Sequence, residues 1–176
     1  MVSAHVSMAG PFDLDIHVLA KKMGEDAKNA PGGTRMGKDM YGQPALITGG
    51  GTNKKKEEWV YDVTIENKTF KDMANVEVKY LIFYKTEKLG VKADPTPATK
   101  TGTAPVGLLK AHEKKTITTD AVELKKANLV GEFHYASGAK INVQDTLTGV
   151  WIRVFQDGQQ ISEYANPSNL TKEKWE

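Results

Sequence analysis

Apolar and polar side chains alternate with period two along most of this chain, the spacing that sends successive residues to opposite faces of a strand. At 12–20, Phe12, Leu14, Ile16, Val18 and Ala20 fall on one side and Asp13, Asp15 and His17 on the other, which predicts a half-buried first strand. A helix also fits this stretch, with Phe12, Ile16, Leu19, Met23 and Ala27 on one face, but Gly24 and the glycines beyond it interrupt that alternative. The pattern is clearest from Trp59 onward. Trp59, Tyr61, Val63 and Ile65 alternate with Val60, Asp62, Thr64 and Glu66 up to a turn at Asn67-Lys68. Val76, Val78, Tyr80, Ile82 and Tyr84 then alternate with Glu77, Lys79, Leu81 and Phe83.

Shorter strands are expected near 106–109, 116–119, 122–124, 130–135 and 150–155. Asp157-Gly158 then supplies the positive backbone dihedrals of a type I′ turn and predicts a hairpin into Gln159–Tyr164. Asn166-Pro167-Ser168 ends that strand, with Ser168 as the expected cap of a short helical turn reaching Trp175. Two stretches read as irregular. Residues 24–43 are polar and glycine-rich, with a turn at Pro31-Gly32-Gly33, and residues 86–105 hold Pro95, Pro97 and Pro105 with few large apolar side chains. Between 45 and 48 a brief apolar edge strand is expected, followed by a flexible cationic connection through Gly49-Gly50-Gly51 and Lys54-Lys55-Lys56. Eight or nine short strands without intervening long helices predict one all-β domain over residues 1–176, an antiparallel immunoglobulin-like sandwich with little helix.

Composition removes several chemistries. With no cysteine there is no disulfide, no thiol catalysis and no cysteine-ligated metal. The 24 basic and 22 acidic residues leave a net charge of +2, too balanced for a nucleic-acid binder. The 176 residues suffice for one core, and no run approaches the ~20 apolar residues that span a bilayer. Met1-Val2-Ser3-Ala4-His5 reads as a trimmed start rather than a native one.

The candidate motifs are weak. Gly49-Gly50-Gly51-Thr52-Asn53-Lys54 lacks the Gly-Lys-Ser/Thr ending of a phosphate loop. Asp13 and Asp15 offer two carboxylates where a calcium site needs six or more oxygens. His5, His17, His112 and His134 have no metal-ligand spacing, and no nucleophile elbow occurs. No catalytic, cofactor or metal residue is therefore assigned, and the expectation is a protein that is not an enzyme. Asn67-Lys68-Thr69 and Asn169-Leu170-Thr171 match the glycosylation sequon.

More informative are strands apolar on both faces. Opposite Val150, Ile152 and Val154 stand Trp151, Arg153 and Phe155, and Leu81 and Phe83 share a side with Glu77 and Lys79. A sandwich strand needs one apolar face. Leu81, Phe83, Trp151, Arg153 and Phe155 thus form a candidate partner patch, either covered by a segment of the chain or engaged in a protein contact.

Residues 57–68, Glu-Glu-Trp-Val-Tyr-Asp-Val-Thr-Ile-Glu-Asn-Lys, resemble the opening strand of immunoglobulin-like proteins of the Verrucomicrobia. Gly149-Val150-Trp151-Ile152-Arg153-Val154 with the Asp157-Gly158 hairpin resembles their closing strands. The likeness covers residues 57–167 and is similar to the immunoglobulin-like protein of the type IV pilus-like locus of Akkermansia. It implies an exported protein at the cell surface or outer membrane, or else in the periplasm, whose partners are other proteins of a pilus-like assembly or copies of itself. The long apolar N-terminal helix of type IV pilins is not in this sequence, which points to an accessory component or a removed segment. A glycan-binding sandwich is the competing expectation, with Trp59, Trp151 or Tyr135 as a stacking surface for sugar rings.

Overall fold

The computed structural model describes residues 13–30, 34–38, 44–48, 51–130 and 140–175. Eleven strands follow one another: β1 (Leu14–Ala30), β2 (Thr34–Lys38), β3 (Pro44–Thr48), β4 (Gly51–Asn67), β5 (Met73–Thr86), β6 (Thr96–Leu109), β7 (Lys114–Thr118), β8 (Val122–Val130), β9 (Asn142–Gln144), β10 (Thr146–Gln156) and β11 (Gln159–Asn166). A 3-10 helix covers Ser168–Lys172. One sheet runs β1-β4-β8-β9 with β7 also on β4, and the other runs β11-β10-β5-β6. β2 and β3 pair as a separate hairpin. Every pairing is antiparallel.

The chain changes sheet at β4→β5, β6→β7 and β9→β10. That connectivity reproduces the A-B-E neighbours of an immunoglobulin domain in β1, β4 and β7/β8, and its G-F-C order in β11, β10 and β5. The fold is an antiparallel β-sandwich. The alternating residues of the central strands meet between the sheets, where Val63, Ile65, Val78, Tyr80, Ile152 and Val154 share one core with Leu14, Val76, Ile82 and Leu109. Asn67 closes one end. Fully buried, it donates through Nδ2 to the carbonyls of Lys71 (2.8 Å) and Lys110 (3.0 Å) and accepts the Thr69 amide at 2.9 Å. In the folded chain the Asn67 side chain is thus not presented at the surface, while Asn169 is exposed.

Several stretches expected to be irregular are strands. β1 continues to Ala30, and β4 begins at Gly51 in place of a flexible connection, the two pairing from Leu14↔Asn67 to Ala30↔Thr52. β2 lies inside the glycine-rich stretch, where it pairs with the anticipated edge strand β3. β6 occupies the second half of 86–105, from Thr96 onward. Its prolines, Pro97 and Pro105, are tolerated because β6 is an edge strand, where an absent N–H need not break a ladder. Ser168 begins the 3-10 helix but does not cap it; Pro167 holds the cap position, and no side chain caps the turn. The strand expected at 130–135, with His134 and Tyr135, lies largely outside the described residues, as do His5 and Phe12. The Asp157-Gly158 hairpin forms as read, with φ of 48° and 80°.

Candidate functional site

The outer face of the β11-β10-β5-β6 sheet gathers the patch residues. β10 and β5 pair with Trp151 opposite Leu81, Phe83 opposite Gly149, Arg153 opposite Lys79 and Phe155 opposite Glu77. Cross-strand partners point to one face, so the register brings all five together. On β6, Thr99, Thr101 and Thr103 continue the same rows beside Phe83, Leu81 and Lys79.

This face is partly roofed by the chain itself. After β11 the 3-10 helix seats the buried Leu170 against Gly149, where an added Cβ would stand 2.6 Å from Leu170 Cδ1 and 2.5 Å from the Asn166 carbonyl oxygen. Gly149 is required there by close approach. The segment then carries Trp175 over the sheet to meet Trp151 edge-on. Beside this pair lies the Arg153 guanidinium, 4.3 Å from each ring centre, an arrangement in which one cation meets two electron-rich π systems. Glu163 on β11 completes the cluster, with its carboxylate 3.4 Å from Trp151 Nε1 and 3.7 Å from Arg153 Nε. Arg153 Nε is buried without a hydrogen-bond partner, so the guanidinium is held by the rings and by charge.

Trp151 and Leu81 are thereby buried, at 1% and 3% exposure, while Phe83, Arg153 and Phe155 remain half-buried. Phe155 lies under Lys79, whose Nζ stands 4.7 Å from the ring centre. Beside the roof runs an open groove of about 630 Å³, with Leu81, Phe83, Thr99 and Thr101 on the sheet side and Lys172, Glu173 and Lys174 on the other. It offers an apolar floor, a hydroxyl-bearing flank and a charged wall. Sequence reasoning missed Trp175, Glu163 and the threonine row. Trp175 sits in a charged tail without periodicity, so its one legible signal was a large aromatic among Lys and Glu.

Of the aromatics offered as sugar platforms, Trp59 and Trp151 are engaged, and Tyr135 lies outside the described residues. Trp59 is half-buried at the edge of the core and donates Nε1 to Glu57 at 3.1 Å, and both tryptophans of the roofed cluster are occupied by Arg153. Away from the face, a cluster of charges closes the core beyond Trp59. Lys22 bonds Glu25 and lies 2.9 Å from Glu57, and Lys55 also reaches both carboxylates. The Lys22 hydrogen bond is the foremost cause holding the Glu25 and Glu57 carboxyls below their usual range. The pairs are largely solvated and structural in character. Asp15 lies 3.2 Å from His17 and 3.8 Å from Lys68.

No family model matches the chain, and no curated protein sequence does. Among solved structures, a crystal structure from Akkermansia muciniphila aligns at 9% identity over 86% of this chain and 71% of its own, with a TM-score of 0.25. DesR, a beta-glucosidase from Streptomyces venezuelae in complex with D-glucose, aligns at 12% identity over 80% of this chain and 14% of its own, with a TM-score of 0.19. At these TM-scores neither alignment carries an argument, and the sandwich assignment rests on the strand pairing itself.

Proposed function

We propose that this protein is a non-enzymatic structural or interaction module of the cell surface, exported and accessory to, or part of, a type IV pilus-like assembly. The observation that carries the protein-contact reading is the half-roofed face of the β11-β10-β5-β6 sheet. There a groove floored by Phe83 and walled by threonines and charges stays open although Trp151 next to it is covered. Apolar floor and charged rim are the anatomy of a protein contact. The pilus-like setting is supported by the resemblance of residues 57–68 and 149–158 stated above. Engagement of Trp59 and Trp151 with neighbouring side chains supports protein contact over sugar stacking.

A photo-crosslinking side chain placed at Phe83, in the full chain expressed in its own cells, tests this reading. A discrete adduct with an envelope protein, absent when the probe sits at the exposed Asp157 of the hairpin, is expected. Adducts with cytosolic proteins alone, or equal labelling from both positions, would overturn it.

A further inference from the structure

β1 is hydrogen-bonded to β4 along one side, and among the described residues no strand pairs with its other side. Open strand edges template pairing with further chains, so proteins blunt them with prolines, bulges or brevity. Among the described residues the other edges of the two large sheets are blunted: β6 carries Pro97 and Pro105, β7 has five residues and β9 three, and the β10–β11 ladder is broken by a register shift at Val154/Phe155. Over residues 14–22 β1 has no proline and no bulge, since its irregularity comes only after Lys22, and what guards the edge is charge alone, at Asp15, Lys21 and Lys22. Leu19 stands 67% exposed on this edge. A groove of about 370 Å³ crosses β1 here, from Tyr164 past Ile16, Val18 and Leu19 onto Asp62 and Thr64 of β4.

We propose that this edge pairs with the same edge of a second copy of the chain, joining two β1 strands antiparallel about a two-fold axis at Val18. The register follows from side-chain direction and charge. A continuous sheet requires core-facing residues to oppose core-facing residues, so the axis must pass through a residue and not between two. Centred on Val18, Asp15 opposes Lys21 of the second copy and Lys21 opposes Asp15, two opposite-charge pairs from one symmetric contact. In that register Ile16 meets Ala20 on the core side, and His17 covers Leu19 on the outer side. Centring on Leu19 instead sets His17 against Lys21, centring on Ile16 leaves Lys21 without an acidic partner, and centring on His17 pairs Lys21 with Asp13 but sets Asp15 against the apolar Leu19. Asp15 and Lys21 are both accessible; among the described residues Lys21 lies 3.8 Å from Asp62, and Asp15 lies 3.2 Å from His17 and 3.8 Å from Lys68, exposed pairs that a second copy can exchange. The edge lies apart from the face of the other sheet, and the inference stands independently of the function proposed above.

Sedimentation equilibrium on the full chain, with circular dichroism to verify folding, tests it. The parent is expected to show a concentration-dependent dimer. Asp15→Lys or Lys21→Asp alone turns both pairs repulsive and should weaken association about tenfold or more. The double variant Asp15→Lys/Lys21→Asp restores complementarity and should recover it. Leu19→Ala, at an exposed position that folding does not need, removes the apolar side chain that His17 covers and should weaken the dimer should either charge variant fail to fold. A chain that stays monomeric at the highest concentration reached overturns the proposal, as does a dimer indifferent to the single changes or a folded double variant that stays weak.

Discussion

The ring of Tyr80 fills the space that a side chain on Gly102 would need: a Cβ there would fall 2.2 Å from the Tyr80 hydroxyl. The ring can lie over the edge strand only because its cross-strand partner is glycine. Its hydroxyl then reaches the other sheet, where it accepts the Asp120 amide at 2.9 Å between β7 and β8. Gly102→Ala should therefore displace the ring and destabilise the fold by about 1–3 kcal/mol, the range for overpacking. Tyr80→Phe should lose about 0.5–1.5 kcal/mol with the hydrogen bond. Urea unfolding of both variants checks the order.

Ile152 is fully buried at the centre of the shared core, while Phe70 stands 88% exposed. Ile152→Ala should cost about 2–5 kcal/mol, since the surrounding strands cannot collapse fully onto the space left behind. Phe70→Ala should stay within about 0.5 kcal/mol of the parent. Chemical denaturation of the pair gives the comparison, and equal losses would place Ile152 outside the core.

Removing Trp175 uncovers Trp151 and Arg153 without emptying the space between the sheets. Trp175→Ala should shift tryptophan emission to the red and lower stability by about 1–2 kcal/mol, from lost aromatic and cation–π contacts. Trp151→Ala should cost more, about 3–5 kcal/mol, because Trp151 is itself buried. Fluorescence during guanidinium unfolding reads both changes.

Acid should loosen the end of the core closed by Lys22, Glu25, Lys55 and Glu57. Both carboxyls titrate below their ordinary value of 4.5 in the folded chain, chiefly through the Lys22 hydrogen bond. Unfolded chain therefore takes up protons first as pH falls, so the contribution is present above 4.5 and is lost as pH drops through the lowered folded values. Solvent screening keeps it small. Glu57→Gln should flatten the fall in thermal midpoint across that window, which a pH series of thermal melts measures.

The sequence made the fold legible where core-facing residues are apolar and alternate: Trp59–Ile65, Val76–Tyr84 and Val150–Phe155 are central strands as read. It was silent where strands outrun the core. Beyond Trp59 the inward positions of β4 are Glu57, Lys55 and Asn53, so the alternation loses its apolar half although the ladder continues to Gly51. β6 was hidden for another reason. Its threonines, alanines and prolines suit an edge strand bonded on one side, and that composition resembles a loop. Of the candidate site, the two-faced apolar strands were legible, whereas the covering tryptophan was not, because nothing local ties Trp175 to a residue 24 positions earlier.

The directions of β1 and β11 give the molecule a mechanical character. Tyr164 borders the groove along Ile16–Leu19, and Asn166 borders the one beside Val18 and Ala20, so the two strands run the same way on neighbouring sheets. Tension entering at Leu14 and leaving at Asn166 would act along the strands. The sixteen paired positions of the β1–β4 ladder would then be loaded together in shear instead of being peeled one by one.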